Sequence, residues 1–97
     1  MAIWTRLPQE KEGQDYWFAG SCFLTRGIST SLTSEECLFI LSDLYEFVQE
    51  KQGIDYLQAY ERKDGLRVWA IDQISKSELN DHPVSHNHFT LLLPEEY

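Results

Sequence analysis

Apolar residues between Leu32 and Gly53 recur with the period of an α-helix. The central ones are four, three and four positions apart, which places them on one helical face. They are Cys37, Leu41, Leu44 and Val48, with Ile40 and Phe47 flanking on one side and Leu38 and Tyr45 on the other. The sequence therefore predicts one amphipathic helix of about five turns.

Both ends of this helix carry sequence signals. Thr33 stands at the N-cap position with Glu36 three residues later, which is the pattern of a capping box. Gly53 follows the last apolar position and is predicted to supply the left-handed residue that ends the helix.

The segment from Tyr16 to Thr25 is too apolar to alternate. This pattern favours a strand covered on both faces, or one lying centrally in a sheet. Gly20 interrupts one face, which predicts a bulge or the close approach of another element. Residues 1–15, by contrast, predict a short apolar piece followed by an exposed loop.

Two further segments, Asp55–Arg62 and Leu66–Asp72, flank the turn sequence Lys-Asp-Gly and predict an antiparallel hairpin. A final strand is predicted from Phe89 to Leu93, where Pro94 ends it. The order of elements predicts an α+β fold, with an antiparallel sheet of about four strands and the long helix packed on one face. Residues 1–97 are expected to form a single domain.

Composition restricts the classes of partner. The chain has 97 residues and a net charge of −8. Phosphate backbones and anionic lipid repel such a chain, so direct binding to nucleic acid or membranes is disfavoured, whereas a basic protein surface attracts it. The first residues lack an apolar signal core and no run reaches membrane-spanning length, so a cytoplasmic location is expected.

Three histidines, His82, His86 and His88, lie within seven residues of one another. Imidazole is a frequent metal ligand, and His86 and His88 point the same way on an extended chain. The spacing is not that of a zinc site, so a solvated loop is the favoured interpretation and no cofactor is predicted. The cysteines, Cys22 and Cys37, both fall in apolar surroundings, which disfavours a nucleophilic role for either.

A hydroxyl-rich segment precedes the long helix and carries the chemistry of an anion-binding site. Its candidate residues are Arg26, Gly27, Ser29 and Thr30. No phosphate-loop pattern is present, so the alternative is a capping loop in which Arg26 pairs with a carboxylate.

The outward face of the long helix is the candidate interaction surface. Asp43, Glu46 and Glu50 form a column at spacings of three and four, and Phe39 lies in the same sector. An aromatic residue surrounded by carboxylates is typical of the anchor and rim of a protein-binding surface. The alternative is a solvated acidic face with Phe39 covered by a loop. The helix has five acidic residues against Lys51, a net charge of −4.

Several short blocks resemble the bacterial family known as domain of unknown function 960, whose members are small cytosolic proteins, common in Gram-positive bacteria and their mobile elements. The blocks are F-L-T-R-G-I (23–28), the helix after it, D-Y-L-Q-A-Y-E (55–61) and L-L-L-P-E-E-Y (91–97). The resemblance covers roughly residues 21–61 and the C-terminal block, and it implies no activity and no functional residues.

These observations predict a non-enzymatic interaction or accessory protein that binds a basic protein or forms a homodimer. Two alternatives remain open from the sequence. One is an acidic inhibitor that imitates nucleic acid through helix carboxylates spaced like phosphates. The other is a small-ligand binder or enzyme that uses Arg26 together with a histidine of the 82–88 segment.

Overall fold

A computed structural model describes residues 3–76, 78 and 87–97. This part of the chain has the predicted α+β architecture, with two helices and five strands. The strands are β1 (Trp4–Arg6), β2 (Ser21–Leu24), β3 (Leu57–Arg62), β4 (Arg67–Asp72) and β5 (His88–Leu92). The helices are α1 (Arg26–Ser31) and α2 (Ser34–Lys51), and Pro94–Glu96 forms a final 3-10 turn.

The strands form one mixed sheet in the order β1-β3-β4-β5-β2. The predicted hairpin is confirmed: β3 and β4 pair antiparallel with Ala59 opposite Trp69. The β2 strand runs parallel to β5, so the expectation of a purely antiparallel sheet is wrong. Strand β1 overlaps the short apolar piece predicted near the N-terminus, ahead of the predicted loop; it has only three residues, too few to show an alternating pattern.

The aromatic segment from Tyr16 to Thr25 is not a central strand. Only Ser21–Leu24 forms a strand, β2, and it lies at the sheet edge, where Phe23 and Leu24 are exposed. Phe18 instead enters the core with a left-handed backbone (φ 50°), and its N–H donates to the Asp72 carboxylate at 2.9 Å. The close approach predicted at Gly20 is confirmed, because a Cβ there would lie 2.1 Å from the Asn87 carbonyl oxygen.

Helix α2 begins as the sequence predicts. The Glu36 N–H donates to Thr33 Oγ1 (3.1 Å), and the Thr33 N–H donates to Glu36 Oε1 (3.0 Å), which completes the capping box. At its other end the left-handed C-cap is Gln52 (φ 56°) rather than Gly53, which follows with φ 112°. Gly53 is nevertheless required, because a Cβ would lie 2.7 Å from the Gln14 carbonyl oxygen.

The buried face of α2 is rotated slightly from the predicted stripe. Leu41 is only half-buried, whereas Ile40 and Phe47 join the core fully. The helix packs on a sheet face that supplies four of the most buried apolar residues, Tyr60, Val68, Ala70 and Leu91, and Ile54 before β3 joins the same core. None of the described helices is long and apolar enough to cross a lipid bilayer.

Candidate interaction surface

The solvent-facing part of α2 divides into two flanks of opposite character. The acidic flank consists of Glu36, Phe39, Asp43, Glu46 and Glu50. The uncharged flank consists of Leu38, Leu41, Ser42 and Tyr45. Ion pairs join the acidic flank to β1 and β3, whereas the uncharged flank borders β2 and α1. The two flanks therefore present different chemistry on opposite sides of one helix.

Asp43 connects the acidic flank to the sheet. Its Oδ2 lies 2.6 Å from Arg6 Nη1 and accepts a hydrogen bond from the Tyr60 hydroxyl at 2.9 Å. The Arg6 guanidinium also lies 3.8 Å from the centre of the Phe47 ring. Burial, reinforced by the Asp43 charge, raises the pKa of Tyr60 well above its usual range. Asp43 is thus only partly exposed, unlike Glu46 in the same predicted column, because its carboxylate pairs with an arginine 37 residues away in sequence.

Glu36 makes the second connection. Its Oε2 lies 3.0 Å from Arg62 Nη1, and Arg62 also pairs with Asp64 at 3.0 Å. The hydrogen bond from the Thr33 N–H, together with Arg62, holds the pKa of Glu36 below its usual range. The Arg62 guanidinium lies 5.6 Å from the centre of the Trp4 ring. These contacts hold the start of α2 against the β1 edge of the sheet.

Between β1 and the start of α2 lies an open groove of about 560 Å³. Its lining consists of Ile3, Trp4, Thr33, Glu35, Glu36, Phe39 and Arg62. Phe39 is 43% exposed, so the prediction of an exposed aromatic residue is confirmed. Trp4 is buried, and its indole N–H has no hydrogen-bond partner among the described residues. The groove offers aromatic surface beside carboxylates.

Three carboxylates on α2 remain available to a partner. Glu35, Glu46 and Glu50 are exposed, and none forms an ion pair with another described residue. Glu35 lines the groove directly. The negative potential of this helix is therefore concentrated in residues that do not hold the fold together.

The uncharged flank was not singled out by the sequence. Leu38 is 62% exposed and Tyr45 is 67% exposed, although the apolar pattern placed both beside the core stripe. One shallow groove of about 380 Å³ joins Leu38, Leu41, Ser42, Tyr45 and Glu46. A second, of about 470 Å³, runs from Leu38 and Leu41 towards Leu24 and Ser29. Because the grooves share Leu38 and Leu41, the apolar surface is continuous from α2 to β2.

The hydroxyl-rich segment is helix α1 rather than a loop, and it does hold an anion, which is the chain's own Glu96. Thr25 Oγ1 donates to Glu96 Oε1 at 2.6 Å, and the Gly27 N–H donates to Oε2 at 3.0 Å. The Leu93 N–H adds a third bond of 2.8 Å. These donors, Thr25 foremost, lower the pKa of Glu96.

The other residues predicted for an anion site do not contact Glu96. Thr30 Oγ1 donates back to the Arg26 and Gly27 carbonyls, at 3.1 and 3.2 Å. Ser29 borders the uncharged flank. Arg26 is exposed and has no carboxylate partner in the described part of the chain, so the alternative of a pairing for Arg26 receives no support either.

The blocks that carry the family resemblance have structural roles. Thr25 and Gly27, from the first block, donate hydrogen bonds to the carboxylate of Glu96, from the last block. In the middle block the buried Gln58 amide donates to the Gln9 side chain at 3.0 Å, and that same Gln9 oxygen accepts from the Asp55 N–H at 2.9 Å. These blocks tie distant parts of the chain together.

Two of the three histidines, His82 and His86, lie outside the described residues. His88 opens β5, where its ring stacks on Phe23 with centroids 4.5 Å apart. Among the described residues, no group of three or more histidine, cysteine, aspartate or glutamate side chains is placed to hold a metal ion. The structure thus gives His88 a packing role against Phe23 of the edge strand β2.

The cysteine and tryptophan side chains contribute mainly to packing. Burial raises the pKa of Cys22 to about 11 and also raises that of Cys37, which keeps both thiols protonated. Trp17 faces the Lys76 ammonium at 4.5 Å, and Trp69 meets Tyr97 edge-on at 5.7 Å.

Comparisons with known proteins find no matching family model, no matching curated protein and no matching solved structure. The resemblance to domain of unknown function 960 therefore stays a prediction.

Proposed function

We propose that this chain is a non-enzymatic interaction protein of the cytoplasm, which binds a basic segment of a partner protein. Its binding site is the groove between β1 and α2. The observation that carries the proposal is Phe39, half-exposed between the apolar surface of Ile3 and Trp4 and the carboxylates of Glu35 and Glu36.

The chemistry of the groove defines the partner. An apolar side chain fits against the Phe39 and Trp4 rings, because aromatic surface is the usual anchor of a recognition site. A neighbouring lysine or arginine then meets Glu35, whose carboxylate has no ion pair in the described structure. The net charge of −8 also attracts basic partners from a distance. The preferred ligand is a segment with one bulky apolar residue flanked by cations.

Neither alternative from the sequence gains a supporting observation. An imitation of nucleic acid needs a regular row of free carboxylates, but Glu36 and Asp43 pair with arginines. A ligand site built on Arg26 and a histidine needs a shared cavity, yet neither Arg26 nor His88 lines any of four prominent grooves in the described part of the chain.

A displayed peptide library tests the proposal directly. The wild type is expected to enrich peptides that combine an aromatic or large aliphatic residue with adjacent lysine or arginine. Phe39→Ala is expected to abolish the enrichment, and Glu35→Lys to remove the preference for cations. Tyr56→Ala is the matched control, because Tyr56 is exposed to the same degree (44%) but lies outside the groove.

Affinity of the enriched peptides is also expected to fall as salt concentration rises, since exposed charges are screened. The proposal is wrong if no peptide is enriched, if acidic peptides are preferred, or if Phe39→Ala and Tyr56→Ala behave alike.

A further inference from the structure

We propose that the uncharged flank of α2, together with Leu24 of β2, is the surface through which two copies of this chain form a symmetric dimer. The inference concerns the side of α2 opposite the Phe39 groove, and it holds whether or not that groove binds a partner.

Apolar exposure is the first argument. Leu38 and Tyr45 are more exposed than any other large apolar residue of the helix, at 62% and 67%. They join Leu41 and Leu24 in two grooves that merge into one strip. Continuous apolar strips bordered by polar residues mark surfaces that another protein covers.

Charge selects a second copy as the occupant. Leu38, Leu41, Ser42 and Tyr45 are all uncharged, on a helix whose other flank carries four carboxylates. Two chains of net charge −8 repel one another wherever their acidic surfaces meet. Of the carboxylates on α2, only Glu46 lines these two grooves, so this is the side on which two copies approach with the least charge repulsion.

The pattern along this strip is also complementary to itself. Leu38 and Tyr45 are seven residues apart, or about 10 Å along a helix, with Leu41 and Ser42 between them. A two-fold axis near Ser42 places Leu38 of one copy against Tyr45 of the other, and Tyr45 against Leu38. Such isologous contacts are the commonest way in which identical chains associate.

The ends of the strip reinforce this arrangement. Arg26, exposed and without a carboxylate partner in the described structure, lies one turn before Ser29 on the α1 side. Glu46, likewise unpaired, borders the strip next to Tyr45. The antiparallel arrangement brings the α1 end of each copy towards the Tyr45 end of the other. Arg26 of each copy then approaches Glu46 of the other, which gives two such pairs in the dimer.

Sedimentation of the purified chain over a wide concentration range tests the proposal. The wild type is expected to sediment as a dimer, and Leu38→Glu as a monomer with a dimer dissociation constant raised by tenfold or more. Phe39→Glu, one residue further on and on the acidic flank, is the matched control and is expected to remain dimeric. Circular dichroism establishes that each variant keeps its helix content; Leu38 is exposed, and glutamate is a good helix former.

Cysteine cross-linking locates the two-fold axis. Ser42→Cys is expected to form an intermolecular disulfide when oxidised glutathione is added, whereas Glu50→Cys is not. The proposal is overturned if the wild type stays monomeric at high concentration, if Leu38→Glu remains dimeric, or if Phe39→Glu dissociates the dimer as well. Equal cross-linking of Ser42→Cys and Glu50→Cys also overturns it.

Discussion

The two flanks of α2 show opposite relations between charge and exposure. On the acidic flank, Asp43 is charged yet turned towards the sheet, with 31% of its side chain exposed. On the uncharged flank, Leu38 and Tyr45 are apolar yet about twice as exposed. Glu36 and Asp43 pair with arginines of the sheet, whereas Leu38 and Tyr45 face solvent. The polarity of a side chain therefore does not tell which flank of this helix is structural and which is free for recognition.

The largest effect that separates the flanks is expected from Asp43→Ala. This substitution leaves the Tyr60 hydroxyl buried without an acceptor and leaves Arg6 without its carboxylate. The free energy of unfolding is expected to fall by about 2 kcal/mol, measured by urea denaturation. Glu46→Ala is the control on the same flank, with an expected change within about 0.5 kcal/mol. Equal effects at the two positions would show that the Asp43 contacts do not stabilise the fold.

A smaller decrease in the free energy of unfolding is expected from Glu36→Gln, which weakens the capping box and the pairing with Arg62. The expected cost at neutral pH is about 1 kcal/mol. Because folding lowers the pKa of Glu36, its stabilisation is complete above the pKa of the unfolded chain, about 4.3. It is lost as the pH falls through the lower pKa of the folded state.

Urea denaturation at several pH values measures this dependence for Glu36→Gln. The difference in free energy of unfolding between the wild type and the variant is expected to shrink below about pH 4. It is expected to vanish once the Glu36 carboxyl group of the wild type is protonated in both the folded and the unfolded state. Glu35→Gln, at an exposed position without a described ion pair, is the control and is expected to cost less. A difference that stays constant with pH would contradict the role assigned to the Glu36 charge.

Further from α2, the clamp on α1, by which we mean the hydrogen bonds of Glu96 with Thr25 and Gly27, is tested by Gly27→Ala. A Cβ at residue 27 would lie 2.6 Å from Glu96 Oε1, so alanine displaces the carboxylate that caps the helix. The substitution is expected to destabilise the wild type but to stabilise a Glu96→Ala background, because alanine is the better helix former once the carboxylate is gone. A double-mutant cycle by thermal unfolding measures the coupling; additive effects would mean that the clamp does not form.

The smallest effect is expected on the uncharged flank. At concentrations low enough for the monomer, Leu38→Gln and Tyr45→Gln are expected to change the free energy of unfolding by no more than about 0.5 kcal/mol each. A loss comparable to that of Asp43→Ala would show that these side chains belong to the core and would remove the contrast between the flanks.

The parts of the fold that the sequence predicts are those whose signals are local. The capping box joins Thr33 to Glu36, and the Lys-Asp-Gly turn joins two adjacent strands, so each is visible within a few residues. The parallel pairing of β2 with β5 joins Ser21 to His88 and leaves no local signal. The apolar run before β2 predicts a strand for the same reason, although residues such as Phe18 pack against elements far along the chain.

The candidate site also has some features with local sequence signals and others that depend on distant residues. The exposure of Phe39 and Glu46 could be predicted, because both lie opposite the buried stripe. The partial burial of Asp43 depends on its pairing with Arg6, and the exposure of Leu38 has no local signal in the sequence. Helical periodicity gives the angular order of side chains but not the width of the surface they pack on.

The bonds from Glu96 to Thr25 and Gly27 span 71 and 69 residues. During synthesis on the ribosome, α1 and β2 emerge long before the carboxylate that caps α1 and the strand that pairs with β2. The two strands of the β3–β4 hairpin, by contrast, pair with each other and are adjacent in sequence. We therefore expect this edge of the sheet to be the last part of the nascent chain to order, after residue 96 has left the exit tunnel.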